Sequence, residues 1–186
     1  NTADIPIKYA KYVATVLCKI ATNKELISNI SYSYLLELIE ELLSVLLIDK
    51  LDKIGNNQEG NIIFKSLNST MLRIMENCNG TNVIIALLEI IRKNRVNTQN
   101  IKLAGLAIKC ILKVNQNLDN LIERLEFHRT LLQMHLLIIE LQKTSSDLNM
   151  KSQIDQLIVK YIKNVIHEMV KKKTNAIIDE YNKGVR

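Results

Sequence analysis

Apolar residues recur every three or four positions along most of this chain, the spacing that puts them on one face of an α-helix. The plainest case is "LLELIEELLSVLL" (residues 35–47), where Leu35, Leu38, Ile39, Leu42, Leu43, Leu46 and Leu47 form a wide stripe. That stripe predicts a helix over about 32–49, opened by Ser31 or Ser33 as cap. Upstream, Val13, Val16, Leu17 and Ile20 predict a helix over about 7–22, with Asp4 as an upstream cap and Pro6 tolerated at the start. The intervening "TNKELISNISYS" has room for a short turn of its own.

The stretch "MLRIMENCNGTNVIIALLEIIRKNR" (71–95) is more specific. A helix over about 61–77, carrying Ile62, Ile63, Leu67, Met71, Leu72, Ile74 and Met75, reaches a corner at "ENCNGTN". Gly80 is expected to supply the corner's flexible backbone and Thr81 to cap the helix that follows. In that next helix Val83, Ile84, Ile85, Ala86, Leu87, Leu88, Ile90 and Ile91 leave almost no polar face. A helix apolar nearly all round must be covered on most sides, as the inner helix of a layered stack is.

Further helices are predicted over about 99–115 (Leu103, Leu106, Ile108, Ile111, Leu112), within "QNLDNLIERLEFHRTLLQMHLLIIELQK" as one broken helix or two, and over about 151–173. "NAIIDEYN" (175–182) is expected to add a short closing turn or helix. The polar stretches "DKLDKIGNNQEGN" (49–61) and "TSSDLNMKS" (144–152) read as exposed loops rather than domain boundaries. The fold class is all-α, a HEAT/ARM-like α-solenoid of roughly eight to ten antiparallel helices in one domain over 1–186. A compact helical bundle has the same periodicity and stays open at this stage.

Composition narrows the class without changing it. With 186 residues, 47% of them hydrophobic, the chain is long enough to bury most of its surface. One Pro and five Gly give little punctuation for hairpins. "VIIALLEII" and "LLQMHLLIIEL" are both interrupted by charge and too short to span a bilayer. The N-terminus "NTADIPIKYAKY" lacks the order of a signal peptide. Cys18, Cys78 and Cys110, odd in number and far apart, read as buried reduced thiols. These features predict an intracellular protein, and a chain opening on Asn1 is expected to be a segment of a longer one.

The net charge of +6 raises nucleic acid as a partner, but aromatics are 4%, Trp is absent and no recognition motif is present, so none is expected. Candidate chemistry is equally sparse. His128 and His135, seven apart, share one helix face without a third ligand at zinc-like spacing, and His167 stands alone. "GNNQEGN" has two glycines but no Lys-Ser/Thr after them. No catalytic residue, cofactor or metal is predicted, and the chain is expected not to be an enzyme. Two basic clusters stand out: "RKNR" (Arg92, Lys93, Arg95) and "KKK" (Lys171, Lys172, Lys173). Each reads either as a complement to a helix C-terminal dipole or as a landing strip for an acidic partner.

The order of segments in "LIEELLSVLLIDKLDKIGNNQEGNIIFKSLNSTMLRIMENCNGTNVIIALLEIIRKNR" resembles the C-terminal conserved region of the ch-TOG/Mini spindles family of microtubule polymerases. The matching elements are Leu67-Asn68, the corner Asn79 to Asn82, the "ALLEII" helix from Ala86 to Ile91, and downstream Lys109, Cys110, Ile111 and His135. The resemblance runs from Tyr34 to Tyr181. It implies a TOG-like helical-repeat domain in the cytoplasm, on the microtubule cytoskeleton at spindle poles and centrosomes. TOG domains of the family bind tubulin through a row of intra-repeat turns that includes a Trp, and this chain has none. For the C-terminal region the resemblance implies adaptor work through TACC-type coiled-coil partners, with direct tubulin binding as the alternative. The partner-binding candidates are Arg92, Lys93, Arg95, Lys171, Lys172, Lys173 and the apolar residues Ile177, Ile178 and Tyr181 of "VKKKTNAIIDEYN".

Overall fold

The computed structural model describes residues 7–48, 57–95, 100–118, 125–143 and 153–184. The chain is all-α, with eight helices and no strand among the described residues. In order these are α1 (Ile7–Thr22), α2 (Lys24–Ile27), α3 (Tyr32–Leu46), α4 (Asn57–Asn77), α5 (Gly80–Asn94), α6 (Ile101–Gln116), α7 (Phe127–Lys143) and α8 (Gln153–Gly184). Two compact units divide the chain, Asn1–Ala86 and Leu87–Arg186, the division falling within α5.

In the first unit α1 lies along α4, and α3 also packs on α4. Small residues make the close approach of α1 possible: Ala14 and Ala21 are its buried positions. The single turn α2 is the element expected from "TNKELISNISYS", capped by the Asn23 side chain, which accepts from the Leu26 N–H at 3.3 Å. Helix α3 buries Leu35, Ile39, Leu42 and Leu43 at the 3.6-residue period. Ser31 occupies its N-cap position but makes no capping hydrogen bond with its side chain.

Three boundaries depart from the sequence reading. Helix α4 begins at Asn57, a turn before the expected start at about 61, and Gly60 is buried within it. Helix α5 begins at Gly80, so Gly80 and Thr81 belong to its first turn rather than to the corner. The cap is Asn79: its Oδ1 accepts from the Asn82 N–H at 3.1 Å, and its carbonyl takes the Val83 N–H at 3.0 Å. Thr81 is instead fully buried. Replacing Asn79 by Ala should cost about 1 kcal/mol in urea unfolding, while Asp should hold close to wild type. Finally, "NAIIDEYN" is no separate closing element, because α8 runs without a break for 32 residues.

In the second unit α6 and α7 each pack against α8. The seam on α8 is Ile158, Ile162, Val165 and Met169, all 2% exposed or less, at spacings of four, three and four. Helix α6 offers Leu103, Ala104, Ala107, Ile108, Cys110, Ile111 and Val114 as its buried face, and α7 offers Met134, Leu137, Ile138 and Leu141. The bareness of α5 is explained by burial: Val83, Ile84, Ala86, Leu87, Leu88, Ile90 and Ile91 are each no more than 2% exposed. Only Ile85 and Glu89 of that run reach intermediate exposure.

Candidate functional site

The two basic clusters occupy different environments. Arg92 and Arg95 turn onto Glu140 of α7, with Arg92 Nε to Glu140 Oε2 at 2.8 Å and Arg95 Nη2 to Glu140 Oε1 at 3.2 Å. Arg95 also reaches Asp155 of α8 at 3.7 Å. Its side chain is 6% exposed and its Nε has no hydrogen-bond partner, so this guanidinium is a buried charge held by two carboxylates. Lys93 keeps half its side chain in solvent and pairs with Glu89 one turn back. "RKNR" is therefore mainly a clamp joining the end of α5 to α7 and α8, an interaction larger than the helix-dipole term.

Lys171 is exposed and Lys172 and Lys173 are half-buried. They lie inside α8 rather than at its end, since the helix continues to Gly184. A dipole effect fades within the last turn, so it does not account for this run. Ile177, Ile178 and Tyr181 fall on the helical continuation, and their side chains lie outside the described residues. The lysine run and the apolar residues thus share one helix, and Arg95 is separated from them by its burial.

The corner at Asn79 is fastened to the α1–α2 turn. Asn77 Nδ2 donates to the Ala21 carbonyl at 2.8 Å, and Cys78 Sγ lies 3.5 Å from the Ile27 carbonyl oxygen. Two inter-helix turns are thereby set side by side. The charges they carry are Lys24 and Glu25, adjacent and opposite, while residues 77–82 have none.

The sequence reading did not anticipate an apolar groove of about 440 Å³ in the first unit. Its walls are Val13 and Leu17 of α1 and Leu38 and Val45 of α3, over Ile63 and Leu67 of α4. Glu41 is its charged lining residue. The missed signal was a second apolar stripe on α1, where Tyr9, Val13 and Ile20 are exposed while Ala14 and Ala21 are buried.

Groups with reactive chemistry are dispersed. His128, His135 and His167 are all exposed, and no three His, Cys, Asp or Glu residues among those described could hold a metal ion. All three cysteines are free. Burial raises the Cys78 thiol to about 12 and that of Cys110 to about 11. Cys18, expected to be buried, is only partly so, with Sγ 3.5 Å from Ser69 Oγ. At pH 9 about 1% or less of either buried thiol is ionised, and the thiolate is the attacking species. A disulfide reagent should therefore modify Cys18 first in the native protein and Cys78 and Cys110 only on unfolding. Fast uptake by all three in the native state would contradict this burial. No helix among the described residues is long and apolar enough to cross a membrane.

The chain is similar along most of its length to curated plant proteins. It is 26% identical to Protein MOR1 of Arabidopsis thaliana over 179 residues, which is 90% of this chain and 9% of that protein. It is also 26% identical over 179 residues to Protein MOR1 of Oryza sativa subsp. japonica, with the same coverage. The chain thus spans about a tenth of the length of these relatives. They are members of the microtubule-polymerase family that the "ENCNGTN" corner and "ALLEII" helix resemble. No family model matches the chain, and no solved structure does.

Proposed function

We propose that this chain is a non-enzymatic interaction domain of a microtubule-associated polymerase. In this reading it takes adaptor or coiled-coil partners of the TACC type and so helps place a longer protein on spindle and centrosomal microtubule arrays in the cytoplasm. The observation that carries it is the similarity to MOR1, which is co-linear across 90% of the chain rather than confined to one motif. The lysine run inside α8, with Lys171 exposed, supports it as a surface where charge steers an acidic partner. No cofactor, nucleic acid or membrane enters the reading.

The alternative is a divergent TOG domain that binds tubulin directly through its inter-helix turns. Lys24 beside Glu25, the neutral Asn79 corner and the lack of any Trp favour the adaptor reading over it. Light scattering of the chain titrated with unpolymerised tubulin at low salt separates the two. The adaptor reading expects no complex at tens of micromolar tubulin. Co-migration that added salt weakens and that Lys24→Glu abolishes would replace it by the tubulin-binding one.

A further inference from the structure

The groove between α1 and α3 has rims that specify an occupant. On α1, Tyr9, Val13 and Ile20, spaced four and seven apart, are 65%, 54% and 42% exposed. On α3, Tyr34 is 67% exposed, and Glu37 and Glu41 follow it at spacings of three and four. Val13 and Glu41 line the groove itself, and the other residues continue the same helix stripes beyond it. The α1 wall from Ile7 to Leu17 is about 15 Å long, which matches roughly three turns of a helix lying beside it.

Charge decides what kind of helix fits. The chain carries a net +6, yet the charged residue lining this groove among those described is Glu41, and Glu37 precedes it by one turn on the same helix. Glu37 and Glu41 are exposed, stand one turn apart and have no ion pair among the described residues. An acyl carboxylate or an acidic helix would meet like charge there. Lys or Arg residues spaced i and i+4 on a partner helix would meet both carboxylates while its apolar face filled the slot.

We propose that this groove docks a single amphipathic helix whose apolar stripe is flanked by basic side chains. The inference rests on the reading of the chain as a binding module, but it concerns a surface separate from the α8 lysines.

The test titrates the whole chain against two labelled helical peptides of roughly 18 residues. Both carry the same Leu stripe, flanked in one by Lys and in the other by Glu. The Lys-flanked peptide should bind about fivefold tighter at low salt, with the difference shrinking as salt is added. Glu37→Lys with Glu41→Lys should reverse the preference, and Val13→Asp should remove binding of both. These positions are exposed, and unchanged thermal melts would show that the variants fold. Equal affinity for the two peptides, or a preference that survives the charge reversal, would overturn the proposal. So would concentration-dependent dimerisation lost in Val13→Asp, which would assign the groove to a second copy. If peptide binding fails while recruitment of the tagged chain to microtubule arrays persists, the groove is wrong and the binding-module reading stands.

Discussion

Leu87→Ala should lower the stability of this chain by about 3 kcal/mol, with a fall in Tm of roughly 10 °C. Leu87 is 0% exposed, at the centre of a helix whose other apolar residues are almost all as deeply buried. Truncation there loses the transfer free energy of the removed carbons and leaves a cavity that rigid neighbours on several sides fill only in part. An ordinary amphipathic helix could relax by shifting toward its open face, but α5 has little open face to shift toward. Ile85→Ala, at the half-exposed position of the same helix, should cost appreciably less. Urea unfolding of both variants gives the comparison. Equal losses, or a Leu87 cost below about 1 kcal/mol, would mean that α5 is not packed as its burial indicates.

Glu140→Ala should be the most damaging change at an ionisable residue, costing about 2–3 kcal/mol. The carboxylate takes Arg92 at 2.8 Å and Arg95 at 3.2 Å, and Arg95 is the buried partner. With Glu140 gone, the carboxylate contact left to this 6% exposed guanidinium among the described residues is the longer one to Asp155 at 3.7 Å. Solvent at Glu140, whose side chain is 39% exposed, keeps the figure at the low end of what a wholly buried pair would show. Arg95→Met should cost less than Glu140→Ala, because it removes the charge that needs compensation and keeps most of the apolar volume. Adding Arg95→Met to Glu140→Ala should then recover part of the loss. If the two single variants are equally damaging and the double variant is worse than either, the burial of Arg95 is not what makes the clamp matter.

How far the sequence carried this picture depends on where each signal lay. Helices α1, α3 and α6 were legible because their apolar spacing extends over three or more turns and no competing turn chemistry interrupts it. The burial of α5 was legible for a related reason, since an absent polar face has few explanations. The start of α4 was not, because Asn57 and Gly60 are poor helix formers, and the burial of Gly60 is a tertiary feature that local spacing does not show. At the corner, Asn79 and Thr81 are both good caps two residues apart, and the choice turned on a hydrogen bond that spacing does not reveal. The lysine run resembled a helix end, yet Lys is a good helix former and no Pro or Gly follows it before Gly184.

The surfaces were harder to read than the elements. Arg92 and Arg95 looked like free cations because their partner Glu140 lies 48 and 45 residues away, beyond any local pattern. The groove is formed by three helices brought together from separate parts of the first unit, and its lining residues look like ordinary core in the sequence. Only the excess of apolar residues on α1, more than one buried face can absorb, pointed to it.

The most direct test of the central claim is to follow a fluorescently tagged copy of residues 1–186 in dividing cells. An adaptor-binding domain of a microtubule polymerase should gather on spindle microtubule arrays, and stay there when Lys24→Glu is introduced. A tag spread evenly through the cell, at expression levels where a known spindle protein is localised, would contradict the account.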